Sequence, residues 1–436
     1  MRIAINGCKQ SIILNIKMQN SIKKLLIIGA NPETIPVVET AKTLSIYTIV
    51  TDPDPNAPAK KVADQGIDID GMNVDGLVAF CEREKIDAVL VGVADRLIEP
   101  YQQVCERLNL PCYGNQYQCR MLTNKGEFDT LCKEYGISTI PSIRFYKEDP
   151  IDTLQDLQYP VFIKPVDRNS GKGMSVVYNK QELTLGIEKA FTNTSSDFIL
   201  LERYMTCNDV LLSYTIANGE IILSAMGDRF TTREQSKTSQ VCLGAIYPSA
   251  LLDVYLTKEH PKMVKMLKGI GLKNAILTIS AFVEDNNFYY YDPGFRLQGE
   301  APNLHMESIN NFDQKKFLID VAFGNNVNDI NITTADFDNK HTSTIWFLLK
   351  EGIVGKIYGF EKLGKDATIF HISKRLHEGD VIDNKMVGTE SQVLARVYLK
   401  CQTRKELQVK IKEIYNTVKV FDLEGNNQLL NNFNIN

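Results

Sequence analysis

The sequence lacks any apolar run of the roughly 20 residues that a membrane-spanning helix needs. Residues 1–20 carry scattered charge and no small-residue cleavage site, so a signal peptide is not expected. Basic side chains are not in excess either, because 49 Lys and Arg are set against 53 Asp and Glu and the formal net charge is −4. Nonspecific nucleic-acid binding needs a basic surface, so we expect neither a membrane nor a nucleic acid as a partner.

Cysteine pairs of the kind that hold zinc are also missing. The nine cysteines, an odd number, include no CxxC pair, and Cys105, Cys112 and Cys119 are not spaced as zinc ligands. We interpret all nine as free thiols, which predicts a reducing, cytoplasmic location.

The N-terminal part of the chain alternates short apolar strands with helical patterns. Strands are predicted at Lys23–Ala30, Tyr47–Thr51 and Ala88–Val93, and helices at Glu33–Leu44 and Val74–Glu84. This β-α-β-α-β order predicts an open parallel sheet.

A dinucleotide-binding fold is the obvious rival interpretation of this part. The turn at residues 29–34 lacks the GxGxxG that lets a backbone approach a pyrophosphate, although Asp52 stands where a ribose-binding acid would be. We therefore favour a scaffold domain that also forms one wall of a substrate cleft.

The strongest local pattern is Val161–Val177, in which a strand delivers Lys164, a small-residue loop follows and a second strand begins. The loop contains Ser170, Gly171 and Gly173, and such a loop can fold over phosphates and present backbone N–H groups. It is not a Walker A loop, since GxxxxGK[ST] is absent and no helix follows. An ordinary glycine-bearing hairpin explains the loop equally well.

Two lysines are candidates for binding phosphates. Lys164 lies in an apolar strand, where a cation is costly unless it is paired or bound to an anion. Lys125, at the start of the predicted helix Asn124–Gly136, is less telling because lysine is common on helix surfaces.

A further strand end, Phe198–Met205, carries Glu202, Arg203 and Met205. It fits a hinge that binds adenine through backbone groups, with Asp209 as a candidate for a ribose hydroxyl. On their own, these acids also fit a solvated strand end.

The aromatic strand after Phe288 delivers Asp292, a candidate Mg²⁺ ligand, because Mg²⁺ prefers one or two carboxylates together with phosphates. Arg296 and Arg229 are candidates for binding a substrate acid, since the forked donors of arginine fit a planar carboxylate. A turn with a solvent-facing ion pair is the alternative. His305 could act as a base, but a lone histidine is more often structural.

Taken in this order, the segments resemble the ATP-grasp superfamily over residues 23–422, in particular its branch similar to biotin carboxylase and phosphoribosylamine–glycine ligase. The resemblance is carried by Thr123–Lys125 with Tyr135–Ser138, Phe162–Pro165 with Gly171–Met174, Leu201–Met205, and Asp292, Arg296 and Gln298. It implies an ADP-forming ligase that activates a carboxylate as an acyl phosphate and joins it to a nitrogen nucleophile.

The resemblance also implies ATP and Mg²⁺ as cofactors. It assigns the nucleotide to Lys125, Lys164, Ser170, Gly171, Gly173, Glu202, Arg203, Met205 and Asp209. It assigns the metal to Asp292 and catalysis to Arg296 and Arg229. The expected partners are a small-molecule acid and amine, and a homodimer is left open.

The implied fold class is α/β and α+β. A Rossmann-like preATP-grasp parallel sheet is followed by a two-subdomain ATP-grasp fold and a small β-rich C-terminal domain. The expected boundaries are an N-terminal extension at 1–22, a preATP-grasp domain at 23–115, an ATP-grasp domain at 116–325 and a cap domain at 326–436.

Two positions depart from the family pattern. The metal motif is usually Glu-x-Asn-x-Arg, but Gly294 replaces its asparagine, and Ser280 stands where the first metal carboxylate is expected. Either Glu284 or Glu300 substitutes, or one Mg²⁺ site is weakened. A bicarbonate-activating enzyme and a catalytically decayed ATP-binding protein are therefore alternatives, although the histidine expected after Glu300 in the former is Ala301.

Overall fold

The computed structural model describes residues 22–167, 173–232 and 241–430. In chain order its strands are β1 (Lys24–Ile28), β2 (Tyr47–Thr51), β3 (Gln65–Ile67), β4 (Ala88–Val91), β5 (Ser142–Tyr146), β6 (Val161–Pro165), β7 (Ser175–Val177), β8 (Phe198–Arg203), β9 (Asn208–Ala217), β10 (Glu220–Thr231), β11 (Cys242–Tyr247), β12 (Ala275–Glu284), β13 (Asn287–Gly294), β14 (His341–Leu348), β15 (Gly352–Tyr358), β16 (Ile369–Lys374), β17 (Val381–Ile382), β18 (Val393–Cys401) and β19 (Lys419–Asp422).

Its α-helices, in the same order, are α1 (Ile35–Thr43), α2 (Val74–Glu84), α3 (Ile98–Leu108), α4 (Gln116–Thr123), α5 (Lys125–Glu134), α6 (Lys180–Thr192), α7 (Leu252–Lys258), α8 (His260–Gly269), α9 (Asn303–Asn310), α10 (Gln314–Ala322), α11 (Phe360–Leu363) and α12 (Arg404–Thr417). No helix within the described ranges is long and apolar enough to cross a membrane. The chain divides into two compact units, one made of the described residues up to 116 with 315–327, the other of 117–314 with 328–430.

The first unit is built on a parallel sheet with the strand order β3-β2-β1-β4. The central strand β1 is buried along Leu25–Ile28, as expected for a parallel strand that is covered on both faces. The predicted parallel sheet is thus confirmed. The helix predicted from Glu33 begins instead with a 3₁₀ turn at Pro32–Thr34, before α1.

Asp52, weighed above as a ribose-binding acid, has a local structural role in this unit. Its carboxylate accepts hydrogen bonds from the backbone N–H of Ala30 at 3.2 Å and of Asp54 at 3.0 Å. Gly29 precedes this turn with a φ of +96°, and a Cβ there would lie 2.8 Å from Leu97. The turn after β1 is therefore held by the Asp52 carboxylate and the close approach of Leu97 to Gly29. It lacks the glycine pattern that pyrophosphate binding requires.

The second unit contains an eight-stranded antiparallel sheet in the order β13-β12-β9-β10-β11-β14-β18-β16. A four-stranded antiparallel sheet, β5-β8-β6-β7, carries α6 on one face. The core between that sheet and α6 is apolar and includes Phe145, Val161, Ile163, Leu183 and Ile199. Together with the parallel sheet of the first unit, these elements confirm the predicted mixture of α/β and α+β structure.

The C-terminal part is rich in strands, as predicted, but three of them continue the large sheet. Strand β14 pairs with β11 and β18, and β16 pairs with β18. Helix α12 covers this end of the sheet through an apolar core that includes Trp346, Val397, Leu407 and Ile411. The domain boundaries predicted at 115/116 and 325/326 stay predictions.

A complete N-terminal capping box begins α12. The hydroxyl of Thr403 accepts from the backbone N–H of Glu406, and the Glu406 carboxylate accepts from the backbone of Thr403. Two of the backbone donors at the helix start are thereby satisfied.

We predict that Thr403→Ala lowers the free energy of unfolding by about 1 kcal/mol, the usual cost of losing such a cap. Chemical denaturation followed by circular dichroism measures the change. The control is Thr417→Ala at the other end of α12, where the hydroxyl only donates back to the Glu413 carbonyl. Equal effects of the two substitutions would contradict a stabilising cap at Thr403.

Candidate active site

Lys164 is buried in β6 and pairs with an acid on the neighbouring strand. Its Nζ lies 2.8 Å from Oε1 of Glu202, and the two side chains are only 4% and 7% exposed. The register explains the contact, because β6 and β8 are antiparallel and Glu202 lies opposite Phe162, two residues from Lys164. The partner that the sequence required for this lysine is therefore Glu202.

Lys125, the second lysine predicted to bind phosphate, is also buried and is the first residue of α5. The helix is capped by the Asn124 side chain, which accepts from the backbone N–H groups of Gly126 and Glu127. Lys125 Nζ lies 3.1 Å from Oδ1 of Asp292 at the end of β13, with the lysine side chain 8% exposed and the aspartate 44% exposed. The cap thus fixes the start of the helix. Solvent can reach Asp292, the acid beside Lys125, whereas Glu202, the acid beside Lys164, is buried.

The electrostatics show that several cations surround the same carboxylate. Burial raises the pKa of Asp292, but Lys125 above all, then Lys164 and Arg296, lower it below the ordinary value for aspartate. Asp292 is consequently ionised at neutral pH, in a region of positive potential. This arrangement brings together four of the residues predicted to serve the nucleotide, metal and substrate.

Arg229 on β10 is held between two buried acids. Its Nη1 lies 2.9 Å from Oδ2 of Asp209, and its Nη2 lies 2.6 Å from Oε1 of Glu300. Nη1 also donates to the Tyr291 hydroxyl, 3.2 Å away, and that hydroxyl is 3.3 Å from both oxygens of Asp209. Burial opposes the charged guanidinium, but the two acids raise the pKa of Arg229 above its ordinary value.

This network changes the expected roles of two residues. Asp209, predicted to bond a ribose, is 3% exposed and uses its carboxylate on Arg229. Arg229, predicted to bind the substrate acid, has both terminal nitrogens engaged. Direct contact of either residue with a ligand stays a prediction. In the structure, the ion pairs of Arg229 link β10 to β9 through Asp209 and to the segment that carries Glu300.

The hinge after β8 is fixed by backbone bonds. The N–H of Arg203 donates to the Pro141 carbonyl and that of Tyr204 to the Pro160 carbonyl. The Arg203 side chain pairs with Glu284 at 2.9 Å, and Met205 is buried, with 4% exposure. Adenine binding by Arg203 and Met205 stays a prediction.

The loop between β6 and β7 is anchored at both ends. Before it, the Asp167 carboxylate accepts from the Thr194 hydroxyl and the Ser195 backbone N–H. After it, Gly173 has a φ of +77°, and a Cβ there would come within 2.7 Å of Asn193 and 2.8 Å of Pro165. Only glycine fits there, while the predicted phosphate contacts of Ser170 and Gly171 lie outside the described residues.

Comparison with known proteins supports the same interpretation. The sequence model of the family described as "Carbamoyl-phosphate synthase L chain, ATP binding domain" matches residues 124–291. The carbamoyl phosphate synthase large chain of Clostridium beijerinckii is 24% identical over 216 residues, which cover 46% of this chain and 20% of that protein. The chain thus spans about a fifth of this curated relative.

Solved structures match nearly the whole described chain. The L-amino acid ligase of Bacillus licheniformis has a TM-score of 0.76 at 15% identity, covering 92% of this chain and 99% of that one. The biotin carboxylase domain of the 2-oxoglutarate carboxylase of Hydrogenobacter thermophilus, in complex with MgADP, ADP and bicarbonate, has a TM-score of 0.72 at 18% identity, covering 92% and 91%.

The chain has the fold of the ATP-grasp ligases, and residues 124–291 are similar to the ATP-binding domain of the carbamoyl-phosphate synthase L chain. The family match covers the span from the cap of α5 to the residue before Asp292, and so includes Lys125 and Lys164. Arg296 and Glu300 lie beyond the matched span, so their roles rest on the geometry alone.

ATP-grasp proteins imply Mg²⁺, and Asp292 fits one such ion. Its carboxylate is ionised and partly exposed, as an ion shared with phosphate oxygens requires. Ser280 lies directly opposite Asp292 in the β12–β13 register and supplies only a hydroxyl. At Gly294 any Cβ would lie 2.8 Å from the Thr278 hydroxyl, so this position has no room for an amide ligand without rearrangement.

The acids proposed as substitute ligands have other partners. Glu284 pairs with Arg203, and Glu300 pairs with Arg229. In the ranges that the structure describes, no group of three or more His, Cys, Asp and Glu side chains is placed to hold a metal. Asp292 therefore fits as a ligand of one Mg²⁺ ion, and the two acids considered as substitutes are bound to arginines.

Two remaining candidates from the sequence are now placed. Arg296 donates from Nη1 to the carbonyl of Leu297 at 2.8 Å and to Oε1 of Gln298 at 3.2 Å, so its side chain is folded against its own segment. His305 is fully buried, bonds the Thr344 hydroxyl at 2.6 Å, and has a pKa lowered by burial to about 3. His305 is thus a neutral core residue at physiological pH, as the structural alternative predicted.

Sequence reasoning missed the acid partners. Glu300 was weighed only as a metal ligand and Tyr291 was not considered, yet both hold Arg229. The available signal was the arginine itself, because an arginine inside an otherwise apolar strand requires a buried acid. The identity of that acid depends on residues far apart in the chain, so the local sequence does not predict it.

We predict that Lys164→Met combined with Glu202→Gln preserves the fold but weakens ATP binding by roughly tenfold to a hundredfold, the value of one charge-assisted bond to phosphate. Removing both charges avoids the cost of an uncompensated buried acid, about 3–5 kcal/mol in typical cases. Calorimetric titration with ATP measures the affinity.

The single substitution Glu202→Gln is the comparison: it leaves the buried Lys164 without its acid and should lower the melting temperature, but it retains the cation and should retain most of the ATP affinity. Unchanged ATP affinity in the double variant, with an unchanged melting temperature, would remove Lys164 from the nucleotide site.

Proposed function

We propose that the chain is an ADP-forming ligase that phosphorylates a carboxylate with ATP and transfers the acyl group to a nitrogen nucleophile. The observation that carries this proposal is the ion pair of Lys125 with Asp292 at 3.1 Å, with Lys164 and Arg296 also lowering the pKa of the Asp292 carboxyl. Three cations around one partly exposed acid form a site suited to a polyphosphate that brings its own divalent cation.

The two lysines would neutralise the phosphates of ATP. Each is already desolvated and held by an acid, so little side-chain ordering is left to be done when the nucleotide arrives. The pairing of Lys164 with Glu202 holds the ammonium group in place inside the sheet until it meets phosphate oxygens.

Arg296 would orient the substrate carboxylate for in-line attack on the γ-phosphate. Its fork of donors fits a planar acid, and release of the Leu297 and Gln298 contacts would free Nη1 for that purpose. The resulting acyl phosphate is labile in water and must be shielded from it, but residues 168–172 of the lid predicted between Asp167 and Gly173 lie outside the described residues. A bound Mg²⁺ ion at Asp292 would supply neutralisation of charge on the phosphate oxygens.

The substrates on this proposal are small molecules, a carboxylic acid and an amine. The cysteines of the described residues are all free thiols, which is consistent with a reducing compartment. Bicarbonate activation is the second candidate, because Arg296, Gln298 and Glu300 follow one another on one short segment and Glu300 is held in place by Arg229.

A screen for turnover tests the proposed function. The chain is incubated with ATP, Mg²⁺, hydroxylamine and one of a panel of carboxylic acids, amino acids included, and each reaction is assayed for ADP and for the hydroxamate. We expect at least one acid to give both products in equal amounts. ADP release with bicarbonate alone would favour the second candidate, and no acid-dependent ADP release would contradict a ligase.

We predict that Asp292→Asn raises the Mg²⁺ concentration needed for half-maximal ATP binding by roughly tenfold or more, because a neutral amide is a weaker ligand for this ion. The variant should still fold, since the amide oxygen can accept from Lys125. Titration of ATP affinity against Mg²⁺ measures the effect without need of the second substrate.

Glu284→Gln serves as the comparison, because Glu284 is an acid on β12, the strand paired with β13, but forms an ion pair with Arg203. A raised Mg²⁺ requirement in Glu284→Gln together with an unchanged one in Asp292→Asn would transfer the metal to Glu284.

A further inference from the structure

Arg396 is a buried arginine that none of the roles above requires. It lies on β18, outside the matched family span, and is 3% exposed. Burying a guanidinium costs several kcal/mol unless it is well paired, and an apolar residue of similar volume often serves a core equally well. A buried arginine at this position therefore suggests an interaction that an apolar side chain cannot make.

The contacts of Arg396 reach the segment 295–302, which joins β13 to α9. Nη1 donates to the carbonyl of Gly299, and Nη2 donates to Oε2 of Glu390 at 3.1 Å. The guanidinium also lies over the ring of Trp346, 3.7 Å from its centroid, on the directly paired strand β14. The orientation of the fork is thus fixed from one side by an aromatic face and from the other by two acceptors.

A second side chain of β18 holds the next carbonyl of the same segment. Tyr398 is two residues after Arg396, so both face the same side of the sheet, and its hydroxyl donates to the Glu300 carbonyl at 3.4 Å. The side chain of Glu300 is held from β10 by Arg229. The segment is therefore tied through its backbone to β18 and through a side chain to β10, and it is the segment that carries Arg296.

We propose that Arg396 is a positioning residue of the ligase reaction. By holding the Gly299 carbonyl it sets the segment 295–302, so that Arg296 reaches the phosphate and substrate end of the site and Glu300 meets Arg229. This inference rests on the proposed function for its consequence in catalysis, but the contact itself has a spectroscopic test that does not.

Trp346 makes that test possible, because it is the single tryptophan of the chain and it contacts Arg396 directly. The probe is the non-hydrolysable ATP analogue adenylyl imidodiphosphate with Mg²⁺. On this proposal the terminal phosphate of the analogue lies next to the carboxylate position that Arg296 serves, so its binding shifts the segment and, through Arg396, alters the surroundings of the indole. We expect the analogue to change Trp346 emission in the wild type and to lose this effect in Arg396→Lys, while the affinity measured by calorimetry stays within about twofold, since lysine keeps the charge but lacks the fork.

The matched control is Arg404→Lys. Arg404 also binds one carbonyl and one carboxylate, of Pro248 at 3.2 Å and Asp228 at 2.9 Å, but does not touch the segment 295–302. The emission response should survive in this variant. Equal responses in Arg396→Lys and the wild type, or no response in the wild type despite measured binding, would overturn the proposal.

The catalytic consequence is measured with the acid found by the hydroxylamine screen. Arg396→Lys should lower kcat by roughly tenfold to a hundredfold, the usual penalty for a misplacement of about 1 Å, with little change in the KM for ATP and a melting temperature close to that of Arg404→Lys. A parallel fall of kcat, ATP affinity and melting temperature would show a merely structural arginine.

Two further outcomes are distinguishable. If Arg396→Lys does not fold, Glu390→Ala removes one acceptor at a position 55% exposed and must reduce kcat and the emission response in the same direction, or the proposal fails. If no acid supports turnover in the wild type, the proposed function fails, and the emission response alone decides whether Arg396 couples the segment to the nucleotide.

Discussion

The structure of the site depends on the pairing of buried lysines with acids. Lys164 and Lys125 are almost fully buried, where an isolated ammonium group would be too costly to ionise. Each is stabilised by one acid, Glu202 for the former and Asp292 for the latter. The strand register of β6 with β8 and the cap of α5 both serve to bring a cation to its acid, so the local folding of these elements already prepares the chemistry.

Two buried arginines hold the segment 295–302, which carries Arg296, in place. Arg229, between Asp209 and Glu300, links two strands of the large sheet to the segment that follows β13. Arg396 holds the same segment from β18, near the C-terminal edge of the sheet. Because three of the C-terminal strands continue the sheet that carries Asp292, the last part of the chain is structurally continuous with the site.

The sequence predicted the elements well where local pattern decides them. The parallel strands, the helix at Lys125 and the strand of Lys164 follow from apolar periodicity, a cap residue and a flanking glycine. Of the residues behind the predicted departure from the metal motif, Ser280 lies opposite Asp292, and Glu284 and Glu300 pair with arginines, but which residues bind the metal stays a prediction. The pairings of Arg229 with Glu300 and of Arg396 with Gly299 were not predictable, because each joins residues 71 or 97 positions apart and is set by sheet order.

The central claim is that ATP transfers its γ-phosphoryl group to a carboxylate, and isotope transfer tests it most directly. An acid that supports turnover is labelled with ¹⁸O in its carboxylate, and the phosphate released after ligation is examined by ³¹P NMR. An acyl phosphate leaves one carboxylate oxygen on that phosphate, so the account predicts ¹⁸O in inorganic phosphate and none in the nucleotide. Label in AMP, or unlabelled phosphate in the presence of product, would contradict it.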